Sequence, residues 1–173
     1  MKRIILLFLC TTLGSACTTL TSEYQVSESI HLQDLKEDVK VKLDDNSIST
    51  YEIQCRGHGP IKNEKDQSFS LYIQNAINKE LVKLNLKNKN TKKTYLLNVR
   101  FVDFDSGGLF NPTGKWTIKS TIKNGKKTRA IKTETEFNVG YLASADNACK
   151  EVGESFRLAV QDHIKEIFSK IQR

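Results

Sequence analysis

From Cys149 to Ile171, seven apolar residues recur at steps of three or four: Cys149, Val152, Phe156, Val160, Ile164, Ile167 and Ile171. That spacing puts them in one stripe along a helix of about six turns. Such a stripe must be covered along its whole length, so the chain has to supply an equally long apolar surface. A shorter stripe lies upstream. Phe69, Ile73, Ala76, Ile77, Leu81 and Leu84 share one face of a helix expected over 67–84, with Asp66 or Ser68 as its N-cap. Ser144 or Asp146 would cap the longer helix, expected over 147–171. Gly153 interrupts the longer stripe, and the absent side chain would let the helix approach a sheet closely.

The covering surface reads as strands. Val39, Val41 and Leu43 alternate with lysines, and Ser49, Tyr51, Ile53 and Cys55 alternate with polar residues. Tyr95, Leu97, Val99 and Phe101 share one face of a third strand, with Leu96, Asn98, Arg100 and Val102 on the other. Trp116, Ile118, Ser120 and Ile122 mark a fourth strand. Asn124-Gly125 predicts a type I′ hairpin turn, and Ile131, Thr133, Thr135, Phe137 and Val139 mark the return strand. The order is β-β-α-β-β-β-α. It predicts an α+β fold: a mostly antiparallel sheet of about five strands with two amphipathic helices on one face. With 173 residues and 38% hydrophobic content, one core is affordable.

The first residues say where the chain goes. Lys2 and Arg3 precede the apolar run Ile4–Leu9, which is far shorter than the roughly 20 residues a spanning helix needs. Leu13-Gly14-Ser15-Ala16-Cys17 follows. This segment resembles the lipobox of bacterial lipoproteins. The resemblance implies that residues 1–16 are a signal peptide cut before Cys17, whose thiol carries a diacylglyceryl group and whose new N-terminus is acylated. In that family Asp after the Cys retains the protein in the inner membrane, so Thr18 implies the outer membrane, most simply facing the periplasm. Acyl chains in pairs or triplets hold a protein stably on a bilayer. Residues 17–37 are then the lipidated Cys and a polar tether, and 38–173 a single domain. Loss of Lys2 and Arg3 lowers the net charge from +7 to +5.

Two consequences follow from the element order. Cys10 leaves with the signal peptide and Cys17 takes the lipid, which leaves Cys55 and Cys149 in an oxidising compartment. Both fall at the end where the second strand finishes and the long helix begins, so a Cys55–Cys149 disulfide is expected; two free buried thiols are the alternative. At the opposite end, Lys87, Lys89, Lys92 and Lys93 meet Lys123, Lys126, Lys127, Arg129 and Lys132 around the hairpin turn. A patch of this sign attracts anions, here lipopolysaccharide phosphates or peptidoglycan carboxylates. A solvated charge run that only keeps the chain soluble is the plainer reading. Nucleic acid is not expected as a partner, because that compartment holds none and no binding motif occurs.

No constellation for chemistry stands out. His31, His58 and His163 are not spaced for a zinc site with the cysteines, so no metal and no cofactor are expected. His163 borders the helix stripe and reads as a boundary side chain. Glu134 and Glu136 fall on the solvent side of their strand. The expectation is a non-catalytic protein rather than an enzyme. In order and size it looks like the small auxiliary lipoproteins of envelope transport and assembly. That likeness implies a membrane-anchored docking component of an envelope protein complex, and the alternative is a module that binds anionic envelope polymers through its basic end.

Overall fold

The computed structural model describes residues 18–27, 38–54, 60–86, 93–105, 113–138 and 145–172, with side chains of the last helix from 150 onward. The elements are β1 (Thr19–Thr21), β2 (Lys40–Leu43), β3 (Glu52–Gln54), β4 (Pro60–Asn63), α1 (Phe69–Lys83), β5 (Thr94–Asp105), β6 (Thr113–Asn124), β7 (Lys127–Asn138) and α2 (Ala145–Gln172). The α+β class and the two helices agree with the sequence. The single five-stranded sheet does not. Four strands form a sheet in the order β2-β5-β6-β7, and three form a second sheet in the order β1-β4-β3.

The large sheet is mixed. β2 runs parallel to β5, while β5, β6 and β7 are antiparallel. Leu97, Val99, Trp116, Ile118, Ile122 and Ile131 are buried on its inner face, and the apolar stripes of α1 and α2 pack there in one continuous core. Phe156 is the centre of that core. Its ring lies 4.8 Å from Trp116, 5.0 Å from Phe69 and 5.2 Å from Tyr72, centroid to centroid. Trp116 is fully buried, and its indole N–H donates to Ser155 Oγ at 2.9 Å, which satisfies its polar end.

Local chemistry explains several departures from the expected pattern. A bulge between Val99 and Phe101 inserts one residue in β5. The alternation reverses past it, so Val102 turns inward and Phe101 outward, the opposite of the assignment from strict period two. The hairpin between β6 and β7 pairs Asn124 with Lys127, so the turn residues are Gly125 and Lys126. Gly125 has φ +56° and Lys126 has no positive φ, which fits a type II′ turn rather than the expected I′. Ser68 caps α1 as expected, its side chain accepting from Leu71 N–H at 3.3 Å. α2 starts at Ala145, which places Asp146 inside the first turn rather than at the cap.

The small sheet was not visible as such. β4 begins at Pro60, the strand position where a missing N–H costs least, and Ile61 is its one buried apolar residue. β3 likewise buries only Ile53. β1 lies in what the sequence presents as a tether. Residues 18–27 instead form a packed arm: Thr19–Thr21 pair with Ile61–Asn63, and Tyr24 is 4% exposed. A Cβ added to Gly153 would lie 2.8 Å from Leu20 O, so the glycine lets α2 rest directly on the backbone of β1. The close approach expected of Gly153 is therefore made to a strand of the small sheet.

Candidate docking surfaces

The arm of residues 18–27 is tied to α1 mainly by polar groups. Glu80 is 1% exposed, and its Oε1 accepts from Tyr24 O–H at 2.6 Å and from Ser27 N–H at 2.9 Å. Burial, followed by the Glu80 carboxylate, pushes the Tyr24 hydroxyl well above the usual tyrosine range. Lys79 donates to Tyr24 O at 3.1 Å, and Lys83 donates to Ser27 O at 2.9 Å. Thr21 Oγ1 donates to Asn63 Oδ1 at 2.9 Å. Glu23 bridges Lys65 and Lys79, and these two cations hold its carboxyl at about 2. Beside the arm lies a groove of about 580 Å³, floored by Tyr72 and Ala76 and edged by Val82 and Gln67. Its lysines are engaged by the arm itself.

Among the described residues nothing packs on the outer face of the large sheet, since both helices lie on the other side. Lys40 and Lys42 of β2, Arg100 of β5, and Lys119 and Lys123 of β6 all face outward and are exposed. Leu96 and Phe101 stand among them, each more than a third exposed. Lys119 Nζ lies 4.6 Å from the centre of the Phe101 ring. Asn98 Oδ1 on the same face is buried without a hydrogen-bond partner. The acids of this face gather toward the other end of the strands, with Asp103, Asp105, Glu134 and Glu136 exposed. The outward placement of the two glutamates agrees with the sequence.

The predicted basic end is partly assembled. Lys93 O accepts from Lys40 N–H at 3.0 Å, and Thr94 O accepts from Asn124 Nδ2 at 3.1 Å. These bonds bring the end of the lysine-rich connection and the β6–β7 turn together. Lys93, Lys123, Lys126 and Lys127 are exposed there, and Arg129 is half-buried just inside. Lys132 does not belong to this end. It pairs with Lys119 in mid-sheet and makes a 2.9 Å ion pair with Glu134. Lys87, Lys89 and Lys92 lie outside the described residues. So do Cys17 and Cys55; Cys149 is on α2, where its side chain is not described.

His163 is the polar residue that the sequence misplaces. It is 0% exposed rather than at a boundary. Nε2 lies 2.8 Å from Ser120 Oγ, and Nδ1 lies 2.8 Å from Thr133 Oγ1. A Ser–His contact invites comparison with an activated nucleophile. The third group here is a hydroxyl rather than a carboxylate, and Ser120 is itself 2% exposed. Burial lowers the imidazole to about 3, which makes it a weak base as well as an unreachable one. The trio is a buried polar pin between α2 and the inner face of the sheet. The signal for it was present: Ser120 and Thr133 are the polar members of inward-facing rows, and His163 sits on the stripe beside Val160 and Ile164.

Among the described residues, no cluster of three or more His, Cys, Asp or Glu could hold a metal ion, and no helix is long and apolar enough to cross a membrane. No protein-family model matches the chain, and no curated protein matches it. Among solved structures, it is similar to a Xanthomonas campestris protein of the DUF330 family model, with 6% identity and a TM-score of 0.49, over 90% of this chain and 92% of that one. It is also similar to a minor lipoprotein from Acinetobacter baumannii, with 11% identity and a TM-score of 0.43, over 78% of this chain and 89% of that one.

Proposed function

We propose that the protein is a lipid-anchored component of the bacterial envelope, held on the outer membrane through Cys17 and facing the periplasm. In this reading it docks, without catalysis, on an envelope transport or assembly complex. The observation that carries the docking role is the outer face of the large sheet, on which no described residue packs. Both helices pack on one side, and the other side presents Leu96 and Phe101 within a field of lysines. Exposed apolar side chains rimmed by polar residues are one mark of a contact surface. The test uses the full chain in its own membrane, with a photo-crosslinking amino acid at Phe101 or Lys119 and control positions at Leu71 and Leu158. Adducts to one discrete envelope protein from the sheet positions alone are expected. Equal adducts from all four positions would remove the docking face.

A second reading assigns the basic end to an anionic envelope polymer, peptidoglycan or lipopolysaccharide. The convergence of Lys93, Lys123, Lys126 and Lys127 favours it. It predicts retention on that polymer that falls with salt and is lost when Lys126, Lys127 and Arg129 are all changed to Glu. Retention unchanged in the triple variant sinks it.

A further inference from the structure

The packed arm fixes how an anchored domain can stand on its membrane. β1 begins at Thr19, two residues after Cys17, and is held by β4 and by α2. Two residues span at most about 7 Å, so the Cα of Cys17, where the lipid would be attached, is within that reach of the start of β1. The direction of the arm is fixed by its contacts. Leu20 lies against Gly153, Gln25 O accepts from Gln161 Nε2, and Ser27 bonds to Glu80 and Lys83 near the end of α1. The arm therefore runs the same way as both helices, away from the end where α2 begins. Thr18, the residue joined to Cys17, lies toward that end. Leu20, 54% exposed, is the large apolar side chain on the arm nearest the anchor. Lys150, Glu151 and Glu154 are exposed on the adjoining turns of α2, one cation against two anions, so this end carries no basic patch among the described residues.

The lysine-rich end is at the other pole. α2 runs beside β6, with Ser155 bonded to Trp116 and His163 to Ser120, so its last turn reaches the level of the β6–β7 turn. From Gly153 to Gln172 the helix rises about 29 Å. That is several times the ~8 Å over which charges act at physiological salt.

We infer that the bilayer-facing surface is the end formed by β1 and the first turns of α2, with Leu20 at the lipid boundary, and that the lysine-rich hairpin points away from the anchoring membrane. The inference rests on lipidation at Cys17. It makes the anchoring leaflet's own headgroups an unreachable partner for the basic end, which is presented across the periplasm instead. The short arm also means that the domain cannot reorient as one on a long flexible tether would.

The test is depth quenching. Full-length mature protein, purified with its native lipid, is placed in vesicles of phosphatidylethanolamine and phosphatidylglycerol carrying a headgroup nitroxide lipid. A fluorescent amino acid is introduced at Leu20, Lys150 or Lys126, all exposed. Quenching at 20 and 150 with none at 126 is expected. Quenching at 126, or equal quenching at all three, overturns the orientation. Insertion of a twelve-residue Gly-Ser linker between Thr18 and Thr19 should abolish the quenching at 150. Incorporation of a palmitate analogue, lost in Cys17→Ala, is measured in parallel. If the wild-type protein takes no label, the anchor itself is wrong. If it takes label while position 150 stays bright, the anchor stands and the orientation falls.

Discussion

The four-stranded sheet buries Leu97, Val99, Trp116, Ile118, Ile122 and Ile131 against two helices, whereas the three-stranded sheet buries Ile53 and Ile61 and relies on polar ties. Each buried apolar side chain contributes about 1.5–3 kcal/mol. Each hydrogen bond contributes a net 0.5–1.5 kcal/mol, rising to 1.5–3 where a charge takes part. The large sheet should therefore unfold only with the whole domain, and the arm and small sheet should open locally at lower free energy. If the chain is anchored at Cys17 as proposed, the rigid part carries the outward sheet face and the basic end, and the arm that holds them in place is the part that opens first.

The largest expected effect tests the rigid half. Phe156 is fully buried and touches Phe69, Tyr72 and Trp116. Phe156→Ala removes the ring that joins both helices to the sheet, and should cost about 3–5 kcal/mol in urea unfolding followed by Trp116 fluorescence. A loss below 1 kcal/mol would mean that the large sheet is not the stable unit.

The next effect comes from acid and also acts on the rigid half. Burial lowers His163 to about 3, while an unfolded histidine titrates near 6.5. Between those values the unfolded chain binds the extra proton, so stability falls as pH falls. Moving from pH 7 to pH 5 should cost about 2 kcal/mol through this one residue. Glu23, held at about 2, contributes in the same direction but only below the ordinary carboxylate range. In His163→Gln the loss between pH 7 and pH 5 should shrink by about that 2 kcal/mol, whatever the variant's stability at pH 7. An unchanged slope would show that the imidazole accepts its proton in the folded state.

The same contrast decides what could be read from sequence. The twelve-residue strands β6 and β7 alternate long enough for Trp116, Ile118, Ser120 and Ile122 to declare a face, and the α2 stripe declares its length. β1, β3 and β4 are three or four residues each with one buried apolar residue at most, too few to show a period. Their partners are set by tertiary contact: Gly153 against Leu20, and Glu80 reaching Tyr24. A buried Glu on a helix looks like any surface Glu until the arm covers it. The Phe101 bulge was hidden because apolar residues stand on both faces of β5. The basic end was half legible, because the hairpin placed Lys123, Lys126 and Lys127 correctly while Lys132 was counted without its register or its partner Glu134.

The most local effect distinguishes local from global opening. Glu80→Leu keeps an apolar volume at a buried site but leaves the Tyr24 hydroxyl without its carboxylate acceptor. The loss should be about 1.5–3 kcal/mol, and it should fall on the arm rather than on the whole domain. Amide exchange at residues 20–27 should rise roughly ten- to a hundredfold, since each factor of ten is about 1.4 kcal/mol. Exchange in β6 and β7 should change little, because their protection comes from the core around Phe156. If both regions accelerate together, the arm is part of the global unit, and its polar ties stabilise the domain as strongly as its apolar core.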